Sequence, residues 1–220
     1  MGSSTRFGLA TVLLAGIVLL SPVCARASQL VFVTSSSHDG NFGGLAGGDG
    51  ICDGLAAAAG LKGQWVAWLS NAGINGGDRI VGDGPFVSTN GTQIAADKAA
   101  LLSGTLDNAI SSDENGVGIG AAADVWTGTT AAGARSGSTC SGWNDNGSGS
   151  GTFGNANQTD SDWSDVDTDT CSDAKRIYCF QLPLLVAPAP VLSAPFKVLT
   201  VLLLVLIGGL GQLRLHRVRR

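Results

Sequence analysis

Histidine is scarce in this chain, and only His38 and His216 occur among its 220 residues. A zinc site built on imidazoles needs several histidines, and a catalytic triad needs one as its general base. The five cysteines include no C-x-x-C pair, which is the spacing of a redox dithiol or a zinc site. These absences argue against a zinc protein and a thiol oxidoreductase, and they leave few groups for hydrolytic catalysis.

Basic side chains are also scarce between residues 28 and 193. That window holds six lysines and arginines against all seventeen acidic residues of the chain, so its formal charge is −11. Such a surface repels nucleic acid and anionic glycans, and it suits an exported domain that collects cations. We therefore predict no nucleic-acid partner.

The N-terminus has the pattern of a secretory signal peptide. Arg6 is followed by an apolar run over residues 9–20, and Ala25 and Ala27 are the small residues expected before a cleavage site. The run is too short and wrongly flanked for a comfortable membrane span. We therefore predict that residues 1–27 are a signal peptide and that the chain is exported.

The C-terminus has the pattern of a membrane anchor. Residues 183–197 are a Pro-rich linker, residues 198–213 are an apolar segment just short of a full span, and residues 214–220 are a basic tail. Clustered arginines favour a cytoplasmic tail, which holds the domain on the periplasmic or cell-surface side. The stretch PVLSAPFKVLTVLLLVLIGGLGQLRLHRVRR resembles the tripartite C-terminal sorting tails of Gram-negative surface proteins. The resemblance implies that the segment is either kept as an anchor or removed by processing.

The window between the two ends, residues 28–182, is predicted to be one exported domain. It contains four cysteines, and an even number in an exported chain predicts two disulfides. Three pairings are possible, and the spacing alone does not choose between them.

The local patterns predict short strands around one main helix. A helix is predicted from Asp49 or Gly50 to Ala59, after a glycine-rich loop over residues 40–50. The residues 132–157, rich in Gly, Ser and Asn, offer little to bury and are predicted as a loop. Strands are predicted over 30–34, 64–69, 125–129 and 176–180, and a second, short helix over 97–102.

Five sequence motifs of this domain occur in the same order as in a known family of domains. They are FVTSS (32–36), GLAGGDGICDGLAAAAGLKGQWVAWLSN (44–71, containing GxxGxDxxC), VWTG (125–128), TCSGW (139–143) and CSDAKRIYCF (171–180). They resemble endostatin-type domains, a branch of the C-type lectin-like fold, and in particular a group of bacterial exported domains. The resemblance covers roughly residues 30–181.

The resemblance implies an α+β, C-type lectin-like (endostatin-like) fold. Such a fold has mostly antiparallel strands, one main helix, long loops and two disulfides. It also implies a nested cysteine pairing, Cys52 with Cys179 and Cys140 with Cys171. Closing loops of this length is worth about 3–5 kcal/mol by chain-entropy arguments.

The tryptophans are predicted to supply most of the aromatic core. A tryptophan can instead form a platform for stacking a sugar, and Trp143 and Trp163 are the candidates for that ligand-binding role. The five are Trp65, Trp68, Trp126, Trp143 and Trp163.

The acidic segment before the third domain cysteine leaves two interpretations open. Its D-x-D-x-D pattern is that of a calcium loop, but Thr170 and Arg176 replace the Gly and Glu of an EF-hand. Calcium-dependent lectins carry Trp-Asn-Asp here, whereas this chain has Trp-Ser-Asp at 163–165. We prefer a solvated loop capped by its own Asx turns. The alternative is a calcium site whose ligands are Asp162, Asp165, Asp167 and Asp169.

The function predicted from these observations is a non-catalytic binding module. We expect it to recognise a glycan or an extracellular protein, with the membrane as a further partner through the C-terminal segment. A self-associating structural or matrix protein is the first alternative. An exported hydrolase that uses His38 is the second, although no activated nucleophile can be identified from the sequence.

Overall fold

A computed structural model of the chain describes residues 27–184. The predicted signal peptide up to residue 26, and the predicted linker, membrane segment and basic tail from residue 185 onwards, lie outside the described residues. Within residues 27–184, no helix combines the length and apolar character needed to cross a membrane. The contacts reported below belong to a unit that ends at Pro183.

The architecture is α+β, with eight strands and one long helix. The strands are β1 (Gln29–Val33), β2 (Trp65–Ala67), β3 (Phe86–Ser88), β4 (Gln93–Ala95), β5 (Asp124–Trp126), β6 (Ser150–Asn155), β7 (Asp167–Thr170) and β8 (Arg176–Gln181). The helices are α1 (Gly44–Ala58), α2 (Gly76–Arg79) and α3 (Lys98–Leu101), with a 3-10 turn at Ser161–Trp163.

The strands form one sheet in the order β4-β3-β1-β8-β5-β6-β7, and β2 pairs with β8 off this path. The β1–β3 and β5–β8 pairings are parallel, and the others are antiparallel. The predicted mixture of mostly antiparallel strands with one main helix is therefore confirmed.

The centre of the sheet is β8, whose sequence RIYCFQ is buried from Ile177 to Gln181. Successive side chains of a strand point to opposite faces. Tyr178 and Phe180 accordingly join a core with Trp68, while Ile177 and Cys179 join a second core beneath α1. Burial on both faces explains why this strand has no alternating polar residues.

The helix α1 begins earlier than the sequence predicts, at Gly44 rather than at Asp49 or Gly50. The glycines of its first turns are close-packing positions. A Cβ on Gly47 would lie 1.6 Å from the carbonyl oxygen of Phe42, and one on Gly48 would lie 2.6 Å from Leu69 Cδ1. The glycine-rich stretch that predicted a loop is therefore helical from Gly44 onwards, and glycine is required at Gly47 and Gly48 because Phe42 and Leu69 leave no room there for a side chain.

Both disulfides have the pairing that the family resemblance implies. Cys52 on α1 joins Cys179 on β8, and Cys140 joins Cys171, with Cα–Cα distances of 5.5 and 5.6 Å. The first bond ties the main helix to the central strand. Two disulfides indicate an oxidising environment outside the cytoplasm.

The prediction of a loop over residues 132–157 is wrong in part, since only residues 132–139, 144–149 and 156–157 lie outside any helix or strand. This stretch contains β6 and a tight turn at Cys140–Trp143. Gly151 in β6 lies against the second disulfide, because its Cβ would approach Cys140 Sγ to 2.7 Å and the Trp126 ring to 3.0 Å. The small residues of this stretch allow close packing, whereas its composition suggested that it had little to bury.

Candidate functional site

The backbone at Cys140–Trp143 forms one turn of left-handed helix. The φ angles are 46° at Cys140, 53° at Ser141, 71° at Gly142 and 70° at Trp143. The Trp143 N–H donates to the Thr139 carbonyl at 2.8 Å, which closes the turn. Left-handed helical geometry costs about 1–2 kcal/mol for each residue other than glycine. Strain of this kind persists only where the surroundings hold it, and it is concentrated at functional sites.

Three contacts hold the left-handed turn. The Cys140–Cys171 disulfide fixes its first residue. The Trp143 indole is fully buried, stacks on Phe42 with ring centroids 5.4 Å apart, and donates its Nε1–H to the Ser70 carbonyl at 2.7 Å. That hydrogen bond ties the turn to the segment at residues 70–74.

An open cleft of about 520 Å³ lies between the left-handed turn and the residues 71–74. Gly142 lies next to Asn71 in its lining, because a Cβ there would lie 3.8 Å from Asn71 Cβ. We call this the turn cleft. Its lining residues are Asn71, Ala72, Gly73, Ile74, Arg135, Thr139, Ser141, Gly142 and Asn144.

The residues 71–74 keep their shape through an Asx turn. Asn71 Oδ1 accepts the N–H groups of Gly73 and Ile74, each at 3.0 Å. Asn71 Nδ2 has no partner among the described residues and remains available to a ligand. The Ile74 side chain is 48% exposed at the cleft.

The opposite wall also leaves polar groups available. Asn144 Nδ2 donates to the Gly142 carbonyl at 3.0 Å, which leaves Asn144 Oδ1 without a partner in the described part of the chain. Ser141 is exposed, and Arg135 makes no side-chain hydrogen bond or ion pair with any described residue. The turn cleft therefore presents a guanidinium, an amide donor, an amide acceptor and a hydroxyl.

The acidic segment contains an edge strand, β7, rather than a loop throughout. The Thr168 N–H donates to Asp167 Oδ1 at 2.7 Å, and the Thr170 N–H donates to Asp169 Oδ1 at 2.8 Å. Asp169 also binds Lys175 Nζ at 2.7 Å. These two bonds join adjacent residues and are therefore not the predicted Asx turns, in which the N–H of residue i+2 donates. That geometry occurs earlier in the acidic segment, where the Asp162 N–H donates to Asp160 Oδ1 at 3.2 Å.

Lys175 is the buried partner of this strand. Its side chain is 6% exposed and lies 2.7 Å from Asp169 and 3.8 Å from Asp124. Its Nζ also lies 4.3 Å from the centroid of the Phe153 ring. The hydrogen bond from Lys175, followed by that from the Thr170 N–H, lowers the pKa of Asp169.

The other two predicted calcium ligands lie at the 3-10 turn and just after it. Burial, and then the negative charge of Asp162, raise the pKa of Asp165. No group of three or more His, Cys, Asp or Glu side chains within residues 27–184 is arranged to hold a metal. Calcium on Asp162, Asp165, Asp167 and Asp169 stays a prediction.

Both tryptophans considered as sugar platforms are fully buried. Trp143 packs on Phe42 beneath the turn cleft, and Trp163 packs on Trp68 with ring centroids 5.0 Å apart. Neither ring has a face open to solvent, so burial favours the core role for both. Trp143 contributes to the turn cleft indirectly, by holding the strained turn.

A serine and the histidine considered for catalysis do meet. Ser36 Oγ lies 2.9 Å from His38 Nε2, and burial lowers the pKa of His38. No carboxylate among the described residues bonds to the imidazole, and neither residue lines the turn cleft. The neighbouring Ser35 donates both its hydroxyl and its N–H to the buried Glu114, so its role is to hold the backbone in place.

The sequence did not single out Arg135 or residues 71–74 as site residues. The motif TCSGW does include Ser141 and Gly142. Its left-handed conformation could not be predicted, because it depends on the disulfide and on the packing of Trp143.

No family model matches the chain. No curated protein matches it either.

Proposed function

We propose that this protein is an exported, non-catalytic binding module that recognises a glycan or an extracellular protein through the turn cleft. The observation that carries the proposal is the strained left-handed turn beside groups that have no internal partner. Strain of this kind that is held by a disulfide and a buried indole indicates a wall shaped for contact with a ligand.

We also propose that the fold is C-type lectin-like, of the endostatin-like branch. The proposal is supported by the helix-to-strand disulfide, the nested second disulfide and the order of the helix and strands along the chain. The C-terminal segment is proposed as the membrane anchor, retained or released after processing. Cell fractionation of the full chain against a chain ending at residue 184 tests the anchor.

A blocking substitution tests the turn cleft. Ala72 is exposed at the wall of the cleft, so Ala72→Trp fills it, whereas Ala57→Trp adds the same side chain to the exposed face of α1. The oxidised full chain in mild detergent is screened against a glycan array and an array of extracellular proteins. We expect the wild type and Ala57→Trp to capture a ligand that Ala72→Trp loses.

The result that overturns the proposal is equally specific. Equal capture by both tryptophan variants would place the ligand elsewhere. No captured ligand, together with turnover in a hydrolase panel that His38→Ala abolishes, would favour the enzyme. Self-association is separated from both by light scattering and by crosslinking on cells. The capped edge of β7 does not favour assembly by strand pairing.

A further inference from the structure

Arg135 is a cation without an internal partner in an acidic domain. Its backbone N–H donates to Asn75 Oδ1 at 3.0 Å, but its guanidinium bonds to no described residue. Arg79 and Lys175, in contrast, form close ion pairs with aspartates. The five N–H donors of Arg135 are therefore available at the wall of the turn cleft.

The lining of the turn cleft carries a charge of opposite sign to that of the whole domain. None of its nine lining residues is acidic, and Arg135 is its one charged side chain. A guanidinium matches a carboxylate by two parallel hydrogen bonds, and such charge-assisted bonds are about twice as strong as neutral ones. The cleft therefore favours a ligand that carries a carboxylate.

We infer that the turn cleft binds an acidic sugar, of the uronic or sialic acid type, through its carboxylate. The carboxylate pairs with Arg135, and the sugar hydroxyls bond to Asn71 Nδ2, Ser141 Oγ and Asn144 Oδ1. This inference rests on the proposed function, since it names the ligand class of the same site.

The groups at the cleft fit a sugar better than a peptide. Several modes of peptide recognition use apolar pockets or addition to a free strand edge. Ile74 is the large apolar side chain of the lining, and the N–H groups of Thr168 and Thr170 on the β7 edge are covered by aspartates. Separate donors and acceptors, in contrast, suit the many hydroxyls of a sugar.

The domain charge of −11 sets the size of the acidic ligand. A long polyanion would extend over the acidic surface and be repelled. A single carboxylate contacts only the lining residues, of which Arg135 alone is charged, and repulsion from charges more than about 8 Å away is largely screened at physiological ionic strength. The ligand is therefore one acidic sugar, at a chain end or isolated along a chain, and not a sulfated polymer.

Matched ligands and matched variants test this inference on the oxidised full chain. The probes are immobilised glycans ending in glucuronic, galacturonic or N-acetylneuraminic acid, the same glycans with the carboxyl group reduced to an alcohol, and heparin. Arg135→Gln removes the cation at the cleft. Lys62→Gln removes the same charge at an exposed residue outside the lining.

We expect the wild type and Lys62→Gln to bind at least one acidic glycan about tenfold or more tightly than its reduced form. Arg135→Gln should bind the two forms equally, and heparin should not be retained. Binding of neutral glycans that Ala72→Trp abolishes but Arg135→Gln leaves intact would overturn the acidic-sugar inference while the proposed function stands.

Further outcomes would also overturn the acidic-sugar inference. Equal loss in Lys62→Gln and Arg135→Gln, or retention on heparin, would show attraction by overall charge and overturn the inference. A folded wild type that binds no glycan but captures an extracellular protein at the cleft also overturns it and leaves the proposed function. Capture of neither class overturns both.

Discussion

Asp49 is the acidic residue of the GxxGxDxxC motif, and its role is to join α1 to β2. Its Oδ1 accepts the Ala67 N–H at 2.9 Å, and both its oxygens lie 2.6 Å from Arg79 Nη2. Asp53, four residues later, accepts the Trp65 N–H at 2.8 Å. Four helical residues rise about 6 Å, and two strand residues about 6.6 Å, so the two spacings match.

We expect Asp49→Asn to lower the free energy of unfolding by about 2 kcal/mol. The reason is that Arg79, only 10% exposed, loses its counter-ion. Asp107→Asn at an exposed site should change it by less than about 0.5 kcal/mol. Urea denaturation measures both variants. Equal small effects would mean that Arg79 finds another partner.

Ser141 tests the strain in the left-handed turn. At φ 53° glycine has no steric penalty, so Ser141→Gly should raise the free energy of unfolding by up to about 1 kcal/mol. Ser37, exposed and outside the left-handed region, is the control. Ser37→Gly should lower stability slightly, because glycine gains freedom in the unfolded chain. Effects of the same sign in thermal melts would argue against strain at Ser141.

The family resemblance implied the disulfide partners, and the residue types predicted the tryptophan core, but neither could predict these roles. Asp49 and Arg79 are thirty residues apart, and only the folded chain brings them together. Nothing local distinguishes Arg135 from a solvated arginine either. Arg135 is left unpaired among the described residues because the fold places aspartates next to Arg79 and Lys175 instead.

At the scale of elements, β7 shows how an exposed edge strand is protected. Asp167 and Asp169 cover backbone N–H groups of their own strand, and Lys175 neutralises Asp169. Charged and capped edges prevent pairing with other chains. The alternation of Asp and Thr in DTDT therefore has a structural reason that does not require a metal.

The Asp169–Lys175 pair predicts acid sensitivity. Because the pKa of Asp169 is lowered in the folded protein, its contribution is fully present above about pH 4 and is lost as the pH falls through the lowered pKa. Asp169→Asn should cost roughly 1 kcal/mol at neutral pH, a figure reduced for the 38% exposure of Asp169. The gap between wild type and variant should close towards pH 2.

Urea unfolding between pH 2 and pH 7 measures that gap. Asp165 provides a contrast of opposite sign, because burial and Asp162 raise its pKa. Its favourable, protonated form is present below about pH 4 and is lost as the pH rises through the raised pKa. Asp165→Asn should therefore stabilise the protein most at neutral pH. A gap for Asp169→Asn that does not vary with pH would contradict the ion-pair explanation.

Asp165 also gives the calcium prediction a direct test. A cation between Asp162 and Asp165 would relieve the repulsion between their carboxylates. If calcium binds there, the melting midpoint is therefore higher in calcium than in chelator. That rise should disappear in Asp165→Asn. Equal midpoints for the wild type in calcium and chelator would remove the calcium site and leave β7 as a capped strand.

The elements that the sequence pattern predicts best are those whose own residues are apolar enough to require burial. The strands at β1, β2 and β8 and the short helix α3 were predicted near their observed positions. The start of α1 and the strand β6 were not, because glycine favours loops locally but permits close packing in the fold. The short polar strand β7 is held by its pairing with β6, which a local pattern cannot predict.

At the scale of the whole molecule, the two disulfides have separate roles. The Cys52–Cys179 bond closes a separation of 127 residues and joins the main helix to the central strand. The Cys140–Cys171 bond closes 31 residues and holds the left-handed turn. Chain-entropy estimates give about 5 kcal/mol for the longer loop and about 4 kcal/mol for the shorter.

Removing each pair should therefore separate stability from binding. We expect C52A/C179A to lose more stability in urea denaturation but to keep its ligand affinity wherever it remains folded. C140A/C171A should lose less stability and yet lose affinity at the turn cleft, because its wall is no longer fixed at Cys140. Affinity is compared at low temperature, on samples shown to be folded by tryptophan fluorescence. Equal loss of affinity in both variants would mean that the turn cleft depends on the fold as a whole and not on the second disulfide.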